Sequence, residues 1–166
     1  MDETTLNTIV GIVGGIIGVI SVIITVISMR AKKVVTISTK SKIYASPGKE
    51  GRFVFDYSNN NGQYTIGSEP YLFCTKWSKA SNTSIHAYKD GAGIEAIAII
   101  KGPVDINSIS SIEGDFSSRV RTPKIGDAII WKNSNGKYAI TKILNIKDDT
   151  RGDLSDELEC EYVILK

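Results

Sequence analysis

Hydrophobic and polar positions follow two different rules along this chain. Residues 9–29 are apolar almost without interruption: fourteen are Ile, Val or Met, four Gly, two Ser and one Thr, and no side chain from Thr4 to Met29 is ionisable. Twenty-one residues at about 1.5 Å each make roughly 32 Å of helix, which matches a bilayer core of about 30 Å. Ile and Val are weaker helix formers in water, but lipid offers the backbone no other partner. The apolar character runs all round the helix, which argues against a buried helix of a soluble domain. A cleaved signal peptide is disfavoured by the lack of a basic leader, by the length of the apolar run and by the absence of a small-x-small site before Arg30. One membrane-spanning helix is therefore expected.

Beyond Lys33 the period falls to two. Short β-type runs are predicted at residues 34–38, 52–57, 63–66, 71–77, 83–88, 94–100, 128–132, 137–146 and 158–165. Turn chemistry separates them. Ser58-Asn59-Asn60-Asn61-Gly62 and Asn133-Ser134-Asn135-Gly136 supply residues that accept positive φ, as tight hairpins need. About nine short antiparallel strands predict an all-β domain, a small barrel or a sandwich, and either form hides sheet edges. Phe53, Phe55 and Tyr57 alternate on one strand face, as do Tyr71, Phe73 and Trp77, so the aromatic residues are core material first. Residues 101–124 break the rhythm with Gly, Pro and Ser, and loops of that length are often functional or mobile.

Charge adds orientation. Asp2 and Glu3 precede the apolar segment, whereas Arg30, Lys32 and Lys33 follow it, so the positive-inside rule places the later residues in the cytoplasm. The net +2 resolves into −2 before the helix, +5 over residues 30–42 (Arg30, Lys32, Lys33, Lys40, Lys42) and −1 over residues 43–166, where 15 bases face 16 acids. The basic balance thus belongs beside a membrane surface, and a nucleic-acid partner is not expected. The organisation read from the sequence is an extracytoplasmic tail (1–8), a transmembrane helix (9–29), a basic juxtamembrane segment (30–42) and a cytoplasmic β domain (43–166), held at the cell membrane. Gly11, Gly14, Gly15 and Gly18 fall on one helix face at the spacing that lets two helices approach closely, so self-association into a homo-oligomer is expected.

Candidate chemistry is sparse. The single histidine, His86, has no triad or metal-binding motif around it, and Cys74 and Cys160 are too isolated for a redox pair or zinc knuckle, which makes buried free thiols the expectation. The acidic run Asp148, Asp149, Asp153, Asp156 and Glu157 lacks the alternation of a calcium loop and reads as solvated, with a weak cation site as the alternative. Arg119 and Arg121 lie two apart and would share a face if extended, where paired guanidinium groups suit a phosphate or carboxylate. In Lys76-Trp77-Ser78-Lys79 an aromatic ring sits between cations. Arg119, Arg121 and Trp77 are the expected ligand contacts; no catalytic residue, metal site or cofactor is expected.

Two stretches carry a resemblance. Phe55-Asp56-Tyr57-Ser58-Asn59-Asn60-Asn61-Gly62 through Thr75-Lys76-Trp77-Ser78-Lys79 to Ile85-His86-Ala87-Tyr88, and Ser117-Ser118-Arg119-Val120-Arg121 with Gly126-Asp127 and Lys147-Asp148-Asp149-Thr150-Arg151-Gly152-Asp153, resemble a recurrent bacterial β-rich accessory domain. The resemblance spans most of residues 52–164 and implies a module appended to varied bacterial proteins, TIR-type proteins among them, with no catalytic residues to transfer. In outline, a membrane anchor joined to a small β domain is also similar to membrane effectors of anti-phage systems that sense cyclic nucleotides. The function expected is a non-enzymatic, membrane-anchored binding or sensing module for a small-molecule or protein ligand. The alternative is a nucleotide-responsive membrane effector of a bacterial anti-phage defence system.

Overall fold

The computed structural model describes residues 44–109 and 111–165. The apolar segment with Gly11, Gly14, Gly15 and Gly18, the basic segment and the strand expected at 34–38 lie outside the described residues. Among the described residues, no helix is long and apolar enough to cross a membrane.

The described chain is mostly β. It forms β1 (Ala45–Ser46), β2 (Glu50–Phe55), β3 (Gln63–Ile66), β4 (Phe73–Lys79), β5 (Ile85–Tyr88), β6 (Ile94–Ile100), β7 (Val120–Arg121), β8 (Ala128–Asn133), β9 (Tyr138–Lys147) and β10 (Glu157–Ile164). Sheet one has the order β1-β3-β4-β5-β7 and sheet two the order β2-β10-β9-β8-β6. Eight of these strands overlap the runs expected from alternation. The other two, β1 and β7, are two residues each and too short to show a period. One feature departs from the expected antiparallel arrangement: β1 runs parallel to β3, with Ala45 opposite Thr65. The β8–β9 hairpin turns where expected, with Gly136 at φ +69 and its N–H donating to the Asn133 carbonyl.

Strand alternation sends one row of side chains from each sheet into a shared core. Sheet one contributes Tyr64, Ile66, Phe73, Trp77, Ile85 and Ala87; sheet two contributes Phe53, Phe55, Ile97, Ile129, Trp131 and the even-numbered positions of β10. At the centre Trp77 meets Trp131 edge to face, with ring centroids 5.2 Å apart. Both indoles keep a polar partner: Trp77 Nε1 donates to Thr75 Oγ1 at 2.8 Å and Trp131 Nε1 to Thr141 Oγ1 at 2.9 Å. Burying apolar side chains of this size stabilises by about 1.5–3 kcal/mol each, so this layer dominates the stability.

A second apolar layer lies on the opposite face of sheet two. Ala98, Ala128, Ile130 and Ile140 point outward there and are covered by Val104, Ile106, Ile109, Ile112 and Phe116 from the segment after β6. The stretch expected as a functional or mobile loop is thus a packed strap. Gly114 allows the close approach: a Cβ there would lie 2.8 Å from the Ala98 Cβ. Asp127 fastens both ends, accepting from the Gly102 N–H at 2.7 Å and the Lys124 N–H at 3.0 Å. Double-sided burial explains why β8 opens on four consecutive buried residues, Ala128 to Trp131, with no alternation.

Candidate functional site

Among the described residues, sheet one has no such cover. Its outward row, Gln63, Thr65, Cys74, Lys76, Ser78, His86 and Tyr88, is only partly buried and mostly polar. Antiparallel register sets Lys76 opposite Tyr88 and Ser78 opposite His86. Over Lys76, Ser78 and Tyr88 lies a cleft of about 390 Å³, whose walls include Asn61 and Gly62 on one side and Asp90 and Arg119 on the other. The volume suits a small ligand.

The cleft wall depends on turn chemistry that the sequence announced. Asn60 and Asn61 adopt φ of +49 and +54, and Gly62 follows at +68. Gly62 also presses on β4, since a Cβ there would sit 1.9 Å from the Trp77 carbonyl oxygen. Any side chain at 62 would push the turn off the strand. Asp56 braces the turn entrance, accepting from the Ser58 N–H at 2.9 Å and the Ser58 hydroxyl at 2.6 Å. Across the cleft floor, the Ser78 and Tyr88 hydroxyls are hydrogen-bonded at 2.9 Å.

The charges in the cleft are unequally committed. Arg119 holds Asp90 through both arms of its fork, Nε to Oδ1 at 2.9 Å and Nη2 to Oδ2. That hydrogen bonding lowers the Asp90 carboxyl below its ordinary range, with the charges of Lys76 and Lys89 adding to the effect. The Lys76 ammonium has no ion pair among the described residues.

The three expected ligand contacts separate here. Arg119 and Trp77 both line the cleft. Trp77, however, is 1% exposed and its indole N–H is used by Thr75, so it serves as floor and core. Arg121 is committed elsewhere: it pairs with Asp115 at 2.8 Å and is mostly buried, with its Nε lacking a hydrogen-bond partner. Among the described residues the two guanidinium groups each hold their own carboxylate and do not form a joint anion site. The mixed Lys-Trp-Lys surface also divides, because alternation turns Lys76 outward and Trp77 inward, while Lys79 enters a different cluster.

That cluster corrects the solvated reading of the acidic run at two of its residues, while Asp149 stays exposed. Asp148 is fully buried and Asp156 is 6% exposed. Lys79 reaches them from β4, with Nζ 3.2 Å from Asp148 and 2.9 Å from Asp156, and it also pairs with Asp149. Arg151 adds a contact to Asp148 at 2.7 Å, and the Tyr57 hydroxyl donates to the Lys147 carbonyl at 2.7 Å and to Asp156 at 3.2 Å. The physical reason is compensation: buried carboxylates persist when cations and donors replace their water. Hydrogen bonding from Thr150, then from Lys79 and Arg151, holds the Asp148 carboxyl well below its usual range despite burial. For Asp156 burial acts upward, and bonds from Lys79, the Asp149 N–H and Tyr57 outweigh it, so the net shift is downward. The Lys79 ammonium is raised by its bonds to Asp149 and Asp156. Oxygens of Asp148, Asp149 and Asp156 lie within 4.8 Å of one another, as a cation site requires. Lys79 supplies that cation from within the chain.

The remaining candidates are structural in their contacts. His86 Nδ1 lies 2.9 Å from the Thr122 hydroxyl. Cys160 is buried, and burial raises its thiol; Cys74 is only half-buried on the outer face of sheet one, and both are free. Sequence reasoning missed Lys76 as a cleft residue in its own right, together with Ser78, Tyr88, Asp90 and Asn61. The pairing of residues 73–79 with 83–88 in opposite register was the available signal for the first three. Comparison of the chain with protein-family models, curated proteins and solved structures returns no match.

Proposed function

We propose that this protein is a non-enzymatic binding or sensing module, tethered to the cell membrane by residues 9–29 and presenting its β domain to the cytoplasm. The observation that carries the reading is the outer face of sheet one, which is polar, has no cover among the described residues, and holds a cleft with an exposed arginine and a lysine that has no ion pair among them. The apolar segment and its basic flank support the anchor, and Gly11, Gly14, Gly15 and Gly18 support association of anchors within the bilayer. The resemblance to bacterial β-rich accessory domains fits a module of this kind.

The test is retention of a ligand. Full-length protein in detergent micelles, incubated with a bacterial small-molecule extract and washed, is expected to retain at least one compound by mass spectrometry. Ser78→Trp, which fills the cleft from an outward position, should release it. Identical retention profiles for the two proteins would overturn the cleft as the binding site.

The nucleotide-responsive effector is a second reading of the same cleft, favoured by the presence of two cations, Lys76 and Arg119, at one site. Under that reading, a cyclic nucleotide supplied to cells expressing the protein depolarises their membrane, and Ser78→Trp prevents it. Unchanged membrane potential would leave the simple binding module.

A further inference from the structure

We propose that Asp90 is a built-in stand-in for a phosphate group, and that the cleft takes a ligand whose phosphate displaces Asp90 from the Arg119 fork and reaches Lys76 at the same time. The inference rests on the binding-module reading and names the chemistry of the ligand.

Three observations carry it. First, Arg119 presents its fork to a carboxylate in the two-point geometry that also fits two oxygens of a phosphate. Second, the pair is open to competition, with the Arg119 side chain 66% exposed and that of Asp90 28% exposed. Exposed ion pairs contribute little to stability, so exchanging one costs the fold little. Third, Lys76 lines the same cleft without an ion pair among the described residues. Its charge acts on Asp90, which places the two in electrostatic reach.

Charge balance selects the anion. An incoming carboxylate would exchange like for like, one negative charge replacing another on Arg119. A phosphate monoester carries about −1.5 to −2 at neutral pH and three acceptor oxygens, so it can hold the Arg119 fork and still offer charge to Lys76. The Ser78 and Tyr88 hydroxyls on the floor then face the remainder of the ligand. A phosphate of this kind has two sources, a soluble phosphomonoester or a phosphatidic acid headgroup, and the chemistry at Arg119 and Lys76 is the same for both.

The experiment uses the full chain in phosphatidylcholine nanodiscs, titrated with phenyl phosphate and, as a carboxylate control, benzoate. Phenyl phosphate is expected to bind about tenfold more tightly than benzoate, consistent with the added charged contacts. Arg119→Gln and Lys76→Gln should each weaken it by about tenfold, and Arg119→Lys should recover only part of the loss, because it restores charge without the fork. The decisive variant is Asp90→Asn, which removes the competitor and should tighten phenyl phosphate binding about threefold or more. Circular dichroism of each variant confirms the fold. Nanodiscs containing phosphatidic acid assign the source: loss of phenyl phosphate binding there identifies the headgroup, and undiminished binding identifies a soluble ligand. Equal affinity for benzoate and phenyl phosphate, or weaker or unchanged binding in Asp90→Asn, overturns the proposal. If Ser78→Trp still abolishes retention of the extracted compound, the binding-module reading stands without it.

Discussion

The outer faces of the two sheets have opposite fates. Around β6, β8 and β9, sheet two turns Ala98, Ile130 and Ile140 outward and closes over them with a strap whose Ile106 is 2% exposed. Sheet one turns Lys76, Ser78, His86 and Tyr88 outward, where among the described residues no strap covers them. Both sheets share one core, so their inner faces do not differ in kind. An apolar face that receives a cover solves a stability problem, whereas the polar face of sheet one holds the cleft proposed to bind.

Truncating the strap should have the largest effect. Ile106→Ala removes a buried anchor and is expected to cost about 2–5 kcal/mol in urea unfolding. It should also raise the binding of a hydrophobic dye as the Ala98–Ile130 face opens. A smaller loss follows from Asp127→Ala, which strands the Gly102 and Lys124 N–H groups and should cost about 1–3 kcal/mol. Hydrogen exchange across residues 101–119 should quicken in that variant before exchange in sheet one does.

The acid limb of stability sharpens a different boundary, the seam where Lys79 of sheet one meets Asp148 and Asp156. Both carboxyls are lowered in the folded protein, so their contribution is present above the unfolded carboxylate value of about 3.9 and is lost as pH falls through their lower folded values. Thermal midpoints should therefore fall steeply below about pH 4, and Asp148→Asn should flatten that limb while lowering stability at neutral pH. Stability that rose on acidification would contradict the seam. The smallest effect belongs to the open face, where Lys76→Ala is expected to change stability by no more than about 0.5 kcal/mol.

Much of this architecture was visible as alternation. Residues 63–66 and 94–100 read as strands with the bounds the structure shows, and the Asn-rich turn before Gln63 declared its left-handed residues. The strap was hidden because Val104, Ile106, Ile109, Ile112 and Phe116 follow no single period and sit among Ser, Gly and Pro. Asp148 and Asp156 looked solvated because their neutralising lysine, Lys79, lies some seventy positions earlier. The cleft was only half legible for the same reason: Arg119 and Trp77 stood out locally, but Asp90 reaches Arg119 across 29 positions, and Asn61 arrives from the other wall. Local pattern reports which face a side chain takes, and long-range pairing decides what it meets there.

In the proposed function the polar outer face of sheet one binds and the covered face of sheet two only stabilises. Backbone amide NMR of the full chain in detergent micelles, titrated with phenyl phosphate, tests it most directly. Shift changes confined to residues 58–62, 76–78, 88–90 and 119 are the predicted result. Changes centred on residues 104–116, or none at all, would contradict it.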